Sequence, residues 1–220
     1  MSFLDLTQLF LSGTWGTIRL FLLTLVGCLI LGTILAAMRV SPTPVLRVAA
    51  HTYVNVVRNT PLTLVMFFCV FGLPYLDIRF AESAGLNSMI LATIALIAYT
   101  ACFVAETLRS GIATVPVGQA EAARAIGLTF GQTLSTVVLP QAIRTVIPPL
   151  GSVIIAMLKN TSIASAFNNR ELMSAMRNAI ELRGDMVITI LLATAVVYLV
   201  LALVLGRVFD YLEKKLVILR

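Results

Sequence analysis

The 220-residue chain is poor in charge and in the side chains on which most metal and catalytic sites depend. Only 12% of its residues are charged, and His51 is its single histidine. Its three cysteines, Cys28, Cys69 and Cys102, fall inside apolar runs and form no CxxC pair. Neither a zinc site nor a disulfide framework is therefore expected.

Signatures of nucleotide binding and of catalysis are also missing. No GxxxxGK[ST] phosphate loop occurs, so we expect the chain to bind no ATP itself. No GxSxG is present, and one histidine gives little support to a Ser–His pair, which disfavours an intramembrane serine protease. We predict a protein that is not an enzyme, with no catalytic residue, metal or cofactor of its own.

The chain is unusually rich in hydrophobic residues. Hydrophobic residues make up 59% of it and the mean hydropathy is +0.99, far more than a soluble core of this size requires. The formal net charge is +6, but the basic residues are scattered between hydrophobic blocks. Orientation in a membrane explains that pattern better than binding to nucleic acid.

A helix needs about 20 residues to cross the hydrocarbon core of a bilayer, where its backbone groups must pair internally. Five apolar runs approach this length, so we predict an all-α integral membrane protein with five transmembrane helices. They cover residues 15–38, 60–76, 88–108, 141–158 and 186–205. The second run is short for a transmembrane helix, unless a helix that precedes Arg58 continues into it.

The predicted membrane domain covers residues 14–209, after a surface segment, 1–13, and before a tail, 210–220. With the N-terminus outside, the inner segments hold ten of the sixteen basic residues and four of the ten acids. Positive charge favours the cytoplasmic side, so we predict an outer N-terminus and a cytoplasmic tail. No basic segment precedes the first apolar run, so we expect that run to stay in the mature protein.

The predicted inner loop, residues 109–140, is longer than a turn requires. It ends with EAARAIGLTFGQTLSTVVLP. The Ala-rich stretch up to Ile126 favours a helix, Gly127 favours its end, and residues 130–138 favour a second helix. A short helix here is suited to dock into a groove of a cytoplasmic partner and to move with it as a rigid body.

This loop resembles the EAA signature of membrane subunits of binding-protein-dependent ABC importers. In the signature, Glu-Ala-Ala is followed by three residues, Gly, nine residues, and then Ile, any residue and Leu-Pro. The chain departs from it only by Val137 in place of Ile. The matching residues are Glu121, Ala122, Ala123, Gly127, Leu139 and Pro140. The resemblance implies the type I importer permease fold and a coupling helix, residues 120–127, that sits in a cleft of an ATPase. Taken alone, Glu121 would be a solvated helix-capping acid.

Three further segments resemble the polar amino-acid branch of this family. They are VRNTPLTLV from Val57, AETLRSGIATVPVGQAEAA from Ala105 and LKNTSIAS from Leu158. The likeness extends to glutamate importer permeases of actinobacterial type, which implies glutamate, or else glutamine or aspartate, as the substrate. It also implies a bacterial cytoplasmic membrane and three kinds of partner. These are a cytoplasmic ABC ATPase dimer that binds ATP and Mg²⁺, a second permease (a copy or a paralogue) and an extracytoplasmic binding protein.

Two groups of polar residues are candidates for the substrate path. One follows a span weakened by Pro148 and Pro149, whose freed carbonyls are tolerated beside protein or water. It consists of Lys159, Asn160, Thr161 and Ser162, and the family resemblance makes it the first candidate. Lys159 either attracts a carboxylate or lies among headgroups. The other group, Tyr99 and Thr100, either lines a cavity or hydrogen-bonds between helices.

Arg58, Thr60 and Pro61 open the predicted second span. One interpretation is a plain helix start, with proline in the first turn and an arginine that snorkels to the headgroups. The alternative is a role in gating or in packing beside the path. Glu106 and Arg109, spaced i,i+3, are expected to form a local ion pair.

An ion-coupled secondary carrier or a passive channel is the alternative function. Such proteins use acidic rings, carbonyl filters or buried carboxylate relays within their spans. The predicted spans contain few groups of that kind. An importer that works by alternating access, driven by a separate ATPase, is therefore preferred.

Overall fold

The computed structural model describes residues 3–216, which form helices and turns without a β-strand. The helices are α1 (Phe3–Val40), α2 (Pro44–Arg58), α3 (Leu62–Phe67), α4 (Leu73–Tyr75), α5 (Ala84–Ala113), α6 (Val117–Ala125), α7 (Phe130–Thr133), α8 (Leu139–Asn160), α9 (Leu172–Leu182) and α10 (Val187–Leu216). π-Helical turns at Phe68–Gly72 and Leu134–Val138 join α3 to α4 and α7 to α8. A 3₁₀ segment, Thr161–Phe167, follows α8.

Four helical segments are long and apolar enough to cross a membrane by themselves. They are Asp5–Val40, Ala84–Ala113, Phe130–Phe167 and Gly184–Leu216. A fifth span is counted if α2 and the α3–α4 segment are taken together, although these two are bent by 103°. The all-helical membrane architecture is confirmed, with four or five spans among the described residues.

The bend occurs where the sequence leaves helix α2. The Asn59 side chain donates a hydrogen bond to the carbonyl oxygen of Asn55 at 2.7 Å, and Pro61 is extended, with ψ at 132°. Since proline has no N–H to continue the ladder, α3 starts in a new direction after it. The helix before Arg58 is present, but it does not lengthen the second span in a straight line.

Both terminal segments are continuous with long helices. The residues from Phe3 to 13, predicted as a surface segment, are the first turns of α1. Helix α10 runs to Leu216 and so takes in most of the predicted tail, of which residues 217–220 lie outside the described part.

Helix α5 lies at the centre of the fold and packs against α1, α2, α3 and α8. Small residues, including Cys28 and Cys102, are fully buried where α1 and α5 meet, which agrees with a packing role for these cysteines. Helix α10 packs on α8 and α9 and turns large aliphatic side chains outward. Its outer face includes Ile188, Leu192, Val196, Leu199 and Leu203. Such a face suits contact with lipid chains.

Candidate functional site

Helix α6 ends at Gly127 in a hydrogen-bonded cap. The N–H of Leu128 donates to the carbonyl of Ala123 at 3.1 Å, and the N–H of Gly127 donates to that of Arg124 at 3.0 Å. This is the Schellman pattern, which needs a left-handed residue after the helix. Gly127 supplies it with φ at 94°. The helix end predicted at Gly127 is confirmed.

Two further sets of contacts hold the chain between this cap and α8. Thr129 and Gln132 form a capping box at the start of α7, in which Thr129 Oγ1 accepts from the Gln132 N–H at 3.3 Å and Gln132 Oε1 accepts from the Thr129 N–H at 2.9 Å. Gln141 of α8 donates through Nε2 to the side-chain oxygen of Gln119 in α6 and to the Val137 carbonyl. The α6–α7 unit, residues 117–133, is therefore capped at its centre and tied to α8.

The signature residues occupy distinct positions in this unit. Ala123 is buried, while Glu121 and Ala122 are exposed. Because α6 begins at Val117, Glu121 lies in its middle and does not cap the helix. Leu139 and Pro140 form the exposed start of α8.

The tip of the α6–α7 unit is apolar. Ile126 is 81% exposed, next to Gly127. Phe130, at the start of α7, is 51% exposed, and Val117, at the opposite end of α6 from Ile126, is 72% exposed. Apolar side chains that are exposed on a capped helix, with polar residues around them, are typical of a protein–protein contact.

Glu106 of α5 joins this helix to the C-terminal ends of α1 and α2. Its Oε1 lies 2.9 Å from Nη1 of Arg39 at the end of α1 and accepts from Nη1 of Arg58 at the end of α2 at 3.2 Å. Its Oε2 accepts from Nε of Arg109 at 3.2 Å. The predicted pair with Arg109 is confirmed, and two cross-helix ion pairs add to it. Arg58 therefore contacts Glu106 rather than simply snorkelling into the headgroups.

The other residues at the start of the second span have local roles. The Thr60 hydroxyl donates to the Val56 carbonyl at 2.8 Å, and Pro61 caps the N-terminus of α3. These contacts agree with the plain helix start. A gating role for Arg58, Thr60 and Pro61 stays a prediction.

The predicted path residues face in different directions. In the Lys159 group, Lys159 is exposed and Asn160 and Ser162 are half-buried, whereas Thr161 is fully buried and donates to the Leu158 carbonyl at 2.6 Å. In α5, Tyr99 is half-buried and stacks near Phe103 with ring centroids 5.1 Å apart. The Thr100 hydroxyl is buried and has no hydrogen-bond partner among the described residues.

A buried carboxylate at the opposite end fastens α1, α9 and α10 together. Glu171, which caps α9, accepts from the backbone N–H groups of Met173 at 2.9 Å and Ser174 at 2.7 Å and from the Tyr198 hydroxyl at 3.0 Å. The Thr17 hydroxyl lies 3.5 Å from the same carboxylate. Burial raises the pKa of Glu171, and these hydrogen bonds oppose the rise. A cleft of about 510 Å³ opens beside it.

The sequence profile of one protein family, described as the binding-protein-dependent transport system inner membrane component, matches residues 28–218. The chain belongs to this family. The match includes the whole α6–α7 unit and the helix ends joined by Glu106. It confirms the family predicted from the signature at residues 121–140.

Relatives of this inner membrane component cover nearly its full length. The glutamate transport system permease protein GluC of Corynebacterium glutamicum is 44% identical, over 97% of this chain and 96% of the relative. The probable glutamine ABC transporter permease protein GlnM of Bacillus subtilis is 35% identical, over 96% of this chain and 95% of the relative.

Solved structures of ABC transporters have a fold similar to that of the inner membrane component. The crystal structure of an amino acid ABC transporter with histidines matches with a TM-score of 0.85 and 28% identity, over 98% of this chain and 99% of that chain. The MetNI methionine ABC transporter matches with a TM-score of 0.76, over 99% of this chain and 100% of that chain. At 18% identity, this second likeness shows the fold alone. The predicted type I importer permease fold is supported at the level of architecture.

Two groups of contacting side chains in this inner membrane component are not predicted by the sequence. Neither the pairing of Glu106 with Arg39 and Arg58 nor the contact of Glu171 with Tyr198 follows from spacing along the chain. One signal did exist for the first: the predicted orientation already placed Arg39, Arg58 and Glu106 at the inner ends of their helices.

Proposed function

We propose that the chain is the permease subunit of an ATP-driven amino-acid importer in a bacterial cytoplasmic membrane, with glutamate as its substrate. The family match supports a transport component, and full-length relatives with glutamate in their names support the substrate. The observation that carries the proposal is the α6–α7 unit, a capped helix with an exposed apolar tip.

In this function the α6–α7 unit docks into a groove of a cytoplasmic ATPase dimer, which binds ATP and Mg²⁺. Closure of that dimer displaces α6 as a rigid body. The displacement reaches α8 through Gln119 and Gln141 and through Thr114 and Thr145, whose hydroxyl oxygens lie 3.1 Å apart. Since α5 and α8 pack closely beside these contacts, the movement changes which side of the membrane the passage faces.

The passage itself requires a second permease, and an extracytoplasmic binding protein delivers the amino acid. Helix α8 supplies the candidate wall. Along one face it exposes small and polar residues instead of the large aliphatic residues of α10. They are Thr145, Pro149, Ser152, Ala156 and Lys159. Polar side chains at membrane depth are expected to face protein or a water-filled cavity.

Reconstitution tests the function directly. Proteoliposomes that contain the chain, a second permease, its ATPase and the binding protein are expected to accumulate L-glutamate only when ATP is present on the ATPase side. Vesicles with a hydrolysis-deficient ATPase provide the control. Glutamate uptake by the chain without any ATPase would contradict the proposal and support the carrier or channel.

Replacement of Ile126 by Asp is expected to weaken assembly with the ATPase about thirtyfold, since buried apolar anchors of this kind contribute roughly 2 kcal/mol or more. Titration of the purified ATPase onto the permease measures the change in Kd. Tyr75→Asp is the matched control, because Tyr75 is 88% exposed but lies outside the α6–α7 unit. Equal affinity of the Ile126 variant and the wild type would argue against docking at this tip.

A further inference from the structure

A small cavity lies at the inner end of the α8 wall. It measures about 350 Å³ and is bounded by the end of α2, the last turns of α5 and the first half of α8. Its walls carry one carboxylate, two guanidinium groups and several hydroxyls. The polar residues among them are Arg58, Glu106, Thr107, Arg109, Ser110, Thr114 and Thr145.

Close packing of α5 on α8 shapes this cavity. A Cβ atom added at Gly111 would come within 3.2 Å of the Ala142 carbonyl oxygen and would also strike the Val146 side chain. The absence of that atom lets the two helices approach until Thr114 and Thr145 meet. Pro149, also in the wall, has no N–H that could donate to the Thr145 carbonyl.

The charges around the cavity are unbalanced. Glu106 is one carboxylate shared by three arginines, so the cluster keeps an excess of two positive charges. Arg39 is the buried partner, with a side chain only 8% exposed. The Arg58 and Arg109 side chains are 38% and 43% exposed, and both border the cavity.

Most donors of these two arginines are unused. A guanidinium carries five N–H groups. Arg58 and Arg109 each donate one hydrogen bond to Glu106, and the described residues show no acceptor for the others. Planar donor pairs of this kind bind carboxylates in a bidentate manner.

Two residues of the cavity wall, Thr145 and Pro149, belong to the exposed small and polar face of α8. That face starts at Thr145 and Pro149 in the cavity wall and ends at Lys159. The 14 helical steps from Thr145 to Lys159 span roughly 21 Å at 1.5 Å per residue, which is a large part of a bilayer core. One wall therefore has a positive charge at each end.

We infer that Arg58 and Arg109 form an inner site for the carboxylates of the transported amino acid and thereby select an acidic amino acid over its neutral amide. This inference rests on the proposed function and names the substrate class for the passage. The two guanidiniums bind the two carboxylates. Glu106, in the same wall, accepts from the ammonium group. Glutamine fills the ammonium position and one carboxylate position but leaves one arginine without an anion.

Equilibrium binding to the purified importer tests this site. The complex of permease and ATPase is used without nucleotide and without binding protein, and the probes are radiolabelled L-glutamate and L-glutamine. Arg58→Gln and Arg109→Gln are each expected to weaken glutamate binding about tenfold, the effect of one lost charge-assisted hydrogen-bond pair. Glutamine binding should change by less than about twofold in one of these two variants, the one that removes the arginine left without an anion, and should fall as glutamate binding does in the other. Arg109→Lys should bind glutamate with an affinity between those of the wild type and Arg109→Gln.

Arg144→Gln is the matched control, because Arg144 is an exposed arginine of α8 that does not border the cavity. The melting temperature of each variant shows whether it is folded, and the Arg39–Glu106 pair remains in all of them. Equal losses for glutamate and glutamine in both variants, or no loss of glutamate binding in either, would overturn the inference. ATP-driven uptake by the same wild-type preparation separates the two proposals: if uptake is present while the arginine variants bind glutamate normally, only the inner site is wrong.

Discussion

Glu106→Gln is expected to lower the free energy of unfolding of the permease by about 3 kcal/mol. The amide keeps the shape of the side chain but not its charge. Three guanidiniums from α1, α2 and α5 then lie together with no anion among them. Arg39 accounts for most of the lost stability, because its charged side chain is nearly buried and loses its anionic partner. Arg58 and Arg109 are partly solvated, so they contribute less.

Thermal unfolding in detergent measures this change, and the expected fall in Tm is about 6–12 °C. Asp210→Asn is the control, since it removes an exposed acid near the end of α10. The double variant Glu106→Gln with Arg39→Gln should be more stable than the sum of the two single effects predicts, because the buried charge is then gone as well. A Glu106→Gln permease that melts with the wild type would show that the cluster does not hold the helix ends together.

The α6–α7 unit was predictable because its signals are local. An Ala-rich stretch, one glycine and the following Thr–Gln box determine where α6 ends and α7 begins, and no distant residue is needed. The Glu106 cluster was not predictable in the same way. Its i,i+3 contact with Arg109 follows from helix geometry, but the contacts with Arg39 and Arg58 depend on how three helices pack.

The contrast between local signals and helix packing also explains why the predicted path residues do not share one face. Lys159 to Ser162 are predicted as one group because they follow the span weakened by Pro148 and Pro149 and lie in a segment that resembles the family. Adjacent residues of a helix point about 100° apart, so a run of four cannot share a face. The structure accordingly exposes Lys159 and buries Thr161. The wall of α8 instead follows the helical spacing of four and three residues from Thr145 to Lys159.

The bent second span has a similar origin. Hydropathy detects the apolar run after Thr60 but not its direction. Pro61 and the capping contact of Asn59 end one helix and start another, and packing on α5 then decides the angle between them. Composition predicts the span, whereas tertiary contacts set its 103° bend.

Gly127→Val is expected to reduce ATP-driven uptake about tenfold or more while membrane insertion is retained. A Cβ atom at this position would meet no atom within 4 Å, so the substitution creates no clash with neighbouring residues. The effect comes from the backbone alone: φ is 94°, and a β-branched residue held there costs roughly 2 kcal/mol. Relief of that strain opens the Schellman cap and turns Ile126 away from the position that docks.

Gly127→Asn is the matched variant, because asparagine tolerates left-handed backbone angles better than other residues with a side chain. It adds a polar group of similar size at the same exposed point and should keep most of the uptake. ATP hydrolysis by the assembled complex is measured in parallel, and in Gly127→Val it should no longer respond to the loaded binding protein. If valine and asparagine reduced uptake equally, the loss would come from the added side chain at the docking surface, and the turn conformation would not be what couples ATP hydrolysis to transport.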